Sequence, residues 1–217
     1  ALDEAVTERT RLIAVTNPNN PVGTILSEAE MGTVAAAARR VGAWLLADEV
    51  YRGTERLTDT ITPTFWGRYE RVISVGSLSK AFGLPGLRLG WIVAPPELVE
   101  AAWRRHEYVT IATGALSMRL AELALEPAAR DRLLARTRRF IREGYERLGE
   151  WIGDNAGLLS IVPPAATALG FVRYHFDMPS FEVAQALRRE ADVLVAPGSH
   201  FGVEQHLRMT HGLERHV

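Results

Sequence analysis

Of the 25 basic residues in this chain only one is a lysine, Lys80, and all the others are arginines. A guanidinium keeps its proton across the physiological range, whereas a primary amine can shed it, attack a carbonyl carbon and form an imine. A chain that uses arginine wherever a fixed charge will do has thus kept one residue able to act as a nucleophile. The competing reading is a solvated loop cation that escaped an arginine-biased composition. Ser77 and Ser79 place two hydroxyls beside the amine, the neighbouring glycines allow close backbone approach, and Arg88 adds a permanent cation. Two hydroxyls and one guanidinium can hold a phosphate, at about 1.5 to 3 kcal/mol per charge-assisted hydrogen bond.

Three further groups stand where open α/β sheets place ligand contacts, at the ends of apolar runs. Ala43-Trp-Leu-Leu-Ala47 reads as a buried strand that ends on Asp48 and Glu49, with Tyr51 just beyond. Four apolar residues before Asp-Glu also describe the Walker B strand of nucleotide hydrolases, but the chain has no Gly-x-x-x-x-Gly-Lys-Ser/Thr to complete that machinery. Glu49 and Val50 carry only packing or solvation in this reading. Asn17-Pro-Asn-Asn-Pro-Val-Gly23 is a stiff loop from which Asn20 can donate, or a plain proline turn before a helix. Arg208 sits on an apolar run near the C-terminus, where a lone arginine reads as a surface or paired residue.

Ser77-Leu-Ser-Lys80 with Arg88 resembles the lysine signature of fold-type I pyridoxal-phosphate enzymes, the class I/II aminotransferases. Asn20-Pro-Val-Gly23 resembles that family's Asn-Pro-Thr-Gly, with Val22 in place of the commoner Thr. Asp48-Glu-Val-Tyr51 resembles its Asp-x-x-Tyr, and Pro197-Gly with Leu207-Arg-Met resembles its C-terminal pattern. The resemblance implies that Lys80 holds pyridoxal 5'-phosphate as a Schiff base and then shuttles the substrate α-proton. It implies that Asp48 keeps the pyridine nitrogen protonated, that Tyr51 and Asn20 hydrogen-bond the ring oxygen, and that Ser77, Ser79 and Arg88 bind the phosphate. Arg208 would hold the substrate α-carboxylate. Lys80 must be neutral for both its tasks, which burial and a nearby Arg88 favour.

By the same resemblance the reaction is transamination between an α-amino acid and a 2-oxo acid in a homodimer. The same lysine, aspartate and tyrosine would serve elimination, cyclisation or oxidation of an amino acid. A regulatory domain that binds the cofactor without turnover is a further alternative. The chain is expected to lack the family's N-terminal portion, which brings a glycine-rich phosphate loop and a stacked aromatic ring, and to stop before its last helix.

The intervening pattern supplies the scaffold. Strands are predicted at Leu12 to Val15, Ala43 to Ala47, Arg71 to Val75 and Leu89 to Val93. Helices are predicted after the Ser27-Glu-Ala-Glu30 capping box, from Pro96 to Tyr108, up to Leu125 and along Ala128 to Gly153. Beyond lie a strand at Phe171 to His175, a helix from Ser180 to Glu190, and strands at Val193 to Ala196 and Leu207 to Thr210. The fold class is therefore α/β, a three-layer sandwich with a mostly parallel sheet, plus a small C-terminal α+β domain. The expected divisions are a cofactor-binding large domain over 1–127, a linking helix over 128–155 and the small domain over 156–217.

Composition narrows the classes further. A net charge of -1 with matched acids and bases argues against a nucleic-acid surface or an anionic-membrane anchor. The arginines at 130, 132, 136, 138, 139, 142 and 147 alternate with acids and read as a solvated helix face. No cysteine is present, which removes disulfides, thiolate catalysis and cysteine-based zinc sites and fits a reducing, cytoplasmic setting. His200, His206, His211 and His216 lack ligand spacing, so no metal is expected.

Overall fold

The computed structural model describes residues 2–212. His216 lies outside the described residues, and among those residues no group of three or more histidines and acids is placed to hold a metal ion. A short helix, α1 (Leu2–Ala5), leads into the first of two sheets. There β1 (Leu12–Thr16), β2 (Trp44–Asp48), β3 (Val72–Ser77) and β4 (Gly90–Val93) lie side by side in that order. The first three run parallel and β4 returns antiparallel to β3.

Parallel neighbours need a crossover, and α2 (Glu28–Val41) supplies the one between β1 and β2. It starts where Ser27 Oγ accepts from the Glu30 N–H while Glu30 Oε2 accepts from the Ser27 N–H, and it stops at Gly42, whose φ of 65° suits glycine. Its apolar face, Met31, Ala35 and Ala38, closes on Leu45 and Ala47 of β2 with Phe65, Tyr69 and Val72. Burying Met31, Leu45 and Phe65 completely contributes about 1.5 to 3 kcal/mol for each side chain.

Three helices follow, α3 (Pro96–Val109), α4 (Ala115–Leu125) and α5 (Pro127–Asp154). The seven arginines along α5 are not one solvated face, which corrects the expectation from their alternation with acids. Arg138 is buried and its Nη2 donates to Glu55 Oε2 at 2.6 Å. Arg136 Nη2 donates to the Phe82 carbonyl at 2.9 Å, and Arg142 donates to the Arg56 carbonyl at 2.9 Å and to Asp59 at 2.7 Å. The reason is helical periodicity: position 138 shares the inner stripe with buried Leu134 and Ile141, and its acidic partner is far away in sequence.

The second sheet, in the order β5-β6-β8-β7, contains β5 (Leu159–Ile161), β6 (Leu169–Tyr174), β7 (Ala196–Pro197) and β8 (His206–Thr210), all antiparallel. The helix α6 (Ser180–Ala191) covers it through Val183 and Ala184, which meet Tyr174 and Leu207. The strand predicted over Val193 to Ala196 shrinks to Ala196–Pro197. Asp192 takes a left-handed conformation (φ 54°) and the Val193 N–H closes on the Leu187 carbonyl at 3.2 Å, so the apolar run begins as a helix cap.

Where β8 ends, His211 is buried against α5. A Cβ on Gly144 of that helix would overlap the His211 carbonyl oxygen, so this approach needs glycine. The imidazole stacks edge-on against Tyr145 at 5.8 Å, and neither ring nitrogen has a hydrogen-bond partner among the described residues. Burial first, helped by the charges of Arg56 and Arg147, outweighs the opposing pull of the Leu169 and Ile141 backbone and pushes its pKa down from 6.5 to about 4. The unfolded chain therefore binds a proton that the folded chain refuses, and stability is lost as pH falls from 6.5 towards 4. Equilibrium unfolding should show about 2 kcal/mol of this loss between pH 7 and pH 5. His211→Leu should flatten that slope; an unchanged slope would place its origin elsewhere.

Candidate active site

Register sets the site. Thr16 lies opposite Asp48 and Asp48 opposite Val75, so β1, β2 and β3 end at one edge of the sheet. The loop carrying Asn20, the carboxylate of Asp48 and the segment from Ser77 to Lys80 all leave from that edge, where open α/β sheets bind ligands. Asp48 is half-buried; its Oδ1 accepts from the Val50 N–H at 3.2 Å, and its other oxygen has no hydrogen-bond partner among the described residues.

Residues from three distant stretches meet there. Asn20 Nδ2 lies 3.5 Å from the Tyr51 hydroxyl, and Arg208 Nη1 donates to Asn20 Oδ1 at 3.2 Å. Burial raises the Tyr51 phenol pKa against the opposing charge of Arg208, and Asp48 adds to the rise, so the phenol stays protonated and can donate. Lys80 Nζ stands 5.9 Å from the centre of the Tyr51 ring. Its amine makes no hydrogen bond or ion pair among the described residues. It is also exposed, so the burial expected around it is not supplied by these residues.

The cluster of Ser77, Ser79 and Arg88 is looser. Ser77 Oγ accepts from the Ser79 N–H at 3.0 Å and donates to the Leu89 carbonyl at 3.3 Å. Arg88, exposed and left-handed at φ 51°, donates to the Pro85 carbonyl at 3.0 Å and makes no hydrogen bond with either serine among the described residues.

Several supporting residues escaped the sequence reading. Buried Asn17 accepts from the Leu26 N–H at 2.9 Å and closes the loop that carries Asn20. The Ala165 and Ala166 N–H groups both donate to the Gly23 carbonyl at 3.0 Å, fastening that loop to the approach to β6. Glu49 and Glu55 are buried acids with several donors each. A sequence signal existed only for Asn17, whose place before Pro18 favours a side-chain turn.

A family model described as aminotransferase class I and II matches residues 1–216. The chain belongs to this family. Among the relatives of this chain, histidinol-phosphate aminotransferase of Symbiobacterium thermophilum is 32% identical over 216 residues, covering 98% of the chain and 55% of that protein. Capreomycidine synthase of Streptomyces vinaceus is 31% identical over 211 residues, covering 96% and 53%. The crystal structure of a PLP-dependent aminotransferase from Streptococcus suis superposes with a TM-score of 0.89 at 31% identity, covering 98% of this chain and 55% of that one. The chain thus spans about half the length of these relatives. The α/β fold with a mostly parallel sheet is shared with the Streptococcus suis structure.

The cofactor of this family is pyridoxal 5'-phosphate. The donor set fits it: an unpartnered primary amine, a strand-end carboxylate with a free oxygen, a protonated phenol beside an amide, and the hydroxyls of Ser77 and Ser79 on the loop that carries the amine.

Proposed function

We propose that the protein is a pyridoxal-phosphate-dependent aminotransferase that moves an amino group between an α-amino acid and a 2-oxo acid. The observation that carries this reading is the meeting of Asn20, Tyr51 and Arg208 beside the free amine of Lys80. When bound, the cofactor supplies an electron sink for the pair left at the substrate α-carbon. Lys80 would anchor the cofactor, and its Nζ would then carry the proton from the substrate α-carbon to the cofactor carbon from which the amino group is transferred. Asp48 would pair with the ring nitrogen and keep it positive. Tyr51 and Asn20 would donate to the ring oxygen, while Ser77, Ser79 and Arg88 would bind the phosphate.

Arg208 holds the substrate α-carboxylate, because its fork makes two parallel bonds to a carboxylate. Asn20 Oδ1 already engages one nitrogen of the fork and so fixes its plane. Arg208→Lys should raise KM for the amino acid about 10- to 100-fold, the value of one or two charged hydrogen bonds, with a smaller fall in kcat. Steady-state kinetics on the full-length protein would check this; an unchanged KM would remove Arg208 from the substrate.

The reaction itself is tested by supplying amino acids with a 2-oxo acid and following both products. Equal amounts of new amino acid and new 2-oxo acid are expected. Likeness to a synthase supports a second reading, another amino-acid reaction on the same residues, which would consume the amino acid without exchange. The protein acts as a homodimer, a reading supported by Tyr108, Val109, Ile111 and Leu116, which are 74% to 94% exposed around the start of α4. No helix among the described residues is long and apolar enough to cross a membrane, and the lack of cysteine supports a cytoplasmic setting.

A further inference from the structure

We infer that Glu49 is a positioning residue which holds Asp48 in place for the cofactor ring; this rests on the role proposed above for Asp48. Side chains alternate along β2, so Glu49 continues the face of Leu45 and Ala47 and turns away from that of Asp48. A carboxylate at the end of a core face is costly unless fully hydrogen-bonded. Glu49, 5% exposed, meets that condition. Its Oε1 accepts from the Phe65 N–H at 2.7 Å, its Oε2 accepts from Ser74 Oγ at 2.8 Å and from Arg52 Nη1 at 3.2 Å, and the Thr64 hydroxyl lies within 2.9 Å of both oxygens.

These donors come from the turn after Tyr51, from the loop before β3 and from β3 itself. The adjoining peptide is pinned as well: the Asn17 N–H donates to the Asp48 carbonyl at 3.0 Å and the Glu49 N–H to the Val75 carbonyl at 2.9 Å. Glu49 is also the middle residue of the turn in which Asp48 Oδ1 accepts from the Val50 N–H. Any shift of Glu49 moves that donor and re-aims the Asp48 carboxylate. An apolar residue at 49 would leave the Phe65 N–H and the Ser74 hydroxyl unmatched at the same point.

The test uses the full-length protein loaded with pyridoxal phosphate, with three readouts: the pH midpoint of the cofactor's visible absorption band, kcat with KM, and thermal unfolding. Glu49→Gln keeps the size but offers an amide where two donors converge. It should move the pH midpoint by about half a unit or more. It should also lower kcat about tenfold with little change in KM, the scale on which groups behind a ligating side chain act. In an Asp48→Asn background the same substitution should change neither readout further, because its effect runs through Asp48. A fall in melting temperature with midpoint and kcat unchanged would leave Glu49 purely structural and overturn the inference, as would full additivity with Asp48→Asn. Should Glu49→Gln fail to fold, Ser74→Ala removes a single donor and should still move the midpoint away from its wild-type value; an unmoved midpoint overturns the inference. A wild-type protein with no cofactor bound at Lys80 overturns the reading of the site itself, a different result from any of these.

Discussion

Lys80→Arg is expected to lower kcat by at least about a thousandfold, because a guanidinium keeps the charge but can neither anchor a carbonyl cofactor nor accept the α-proton. The fold should scarcely notice. Lys80 is exposed and makes no hydrogen bond or ion pair among the described residues, so the change belongs with surface substitutions worth within about 0.5 kcal/mol. The comparison is therefore clean: thermal unfolding near wild type, cofactor absorbance without its lysine-bound component, and single-turnover transfer close to background. A variant that transfers the amino group at the wild-type rate would remove Lys80 from the mechanism.

The largest stability effect is expected at Arg138. Its guanidinium donates to Glu55 Oε2 at 2.6 Å, and the two side chains are 7% and 1% exposed. Glu55 Oε1 is already held by the Gly53 N–H at 3.0 Å, the Thr62 N–H at 2.9 Å and the Thr62 hydroxyl at 2.8 Å. The pair fastens the turn after Tyr51 to α5. Arg138→Met should cost about 3 to 5 kcal/mol, since it leaves a buried carboxylate oxygen without its counter-charge. Adding Glu55→Gln should recover part of the loss: Oε1 keeps its three donors and no charge is left behind. Denaturant unfolding of wild type and the variants would check both statements, and a single variant as stable as wild type would contradict them. Burial alone would raise the Glu55 pKa, yet the hydrogen bonds from Arg138, Thr62 and Gly53 outweigh it and hold the carboxyl below its ordinary 4.5. Its contribution is thus complete above that value and is lost as pH falls through the lower folded one.

Much of this architecture is legible in the residues because buried parallel strands are short apolar runs with polar ends. Leu12–Thr16, Trp44–Asp48 and Val72–Ser77 each differ from their predicted spans by a residue or two, and the polar residues that follow them sit at the sheet edge. Local pattern failed where distant partners decide. The sequence around Arg138 cannot reveal Glu55, and Glu49 read as packing or solvation because its donors lie at 52, 64, 65 and 74. It also failed where an element is very short. The three residues of β5 have too little pattern to read, and Val193 turned from strand to helix cap through a left-handed residue at Asp192. The meeting of Asn20 with Arg208 belongs to the same class: neither residue signals the other, and only the packing of the second sheet near the loop after β1 brings them together.

The most direct test of the central claim is borohydride reduction of the full-length protein with pyridoxal phosphate, followed by mass mapping of the adduct. A reduced pyridoxyl group on the peptide containing Lys80, absent from Lys80→Arg, is the predicted result. A wild-type protein with no adduct, or with its adduct on another residue, would contradict the assignment of this site.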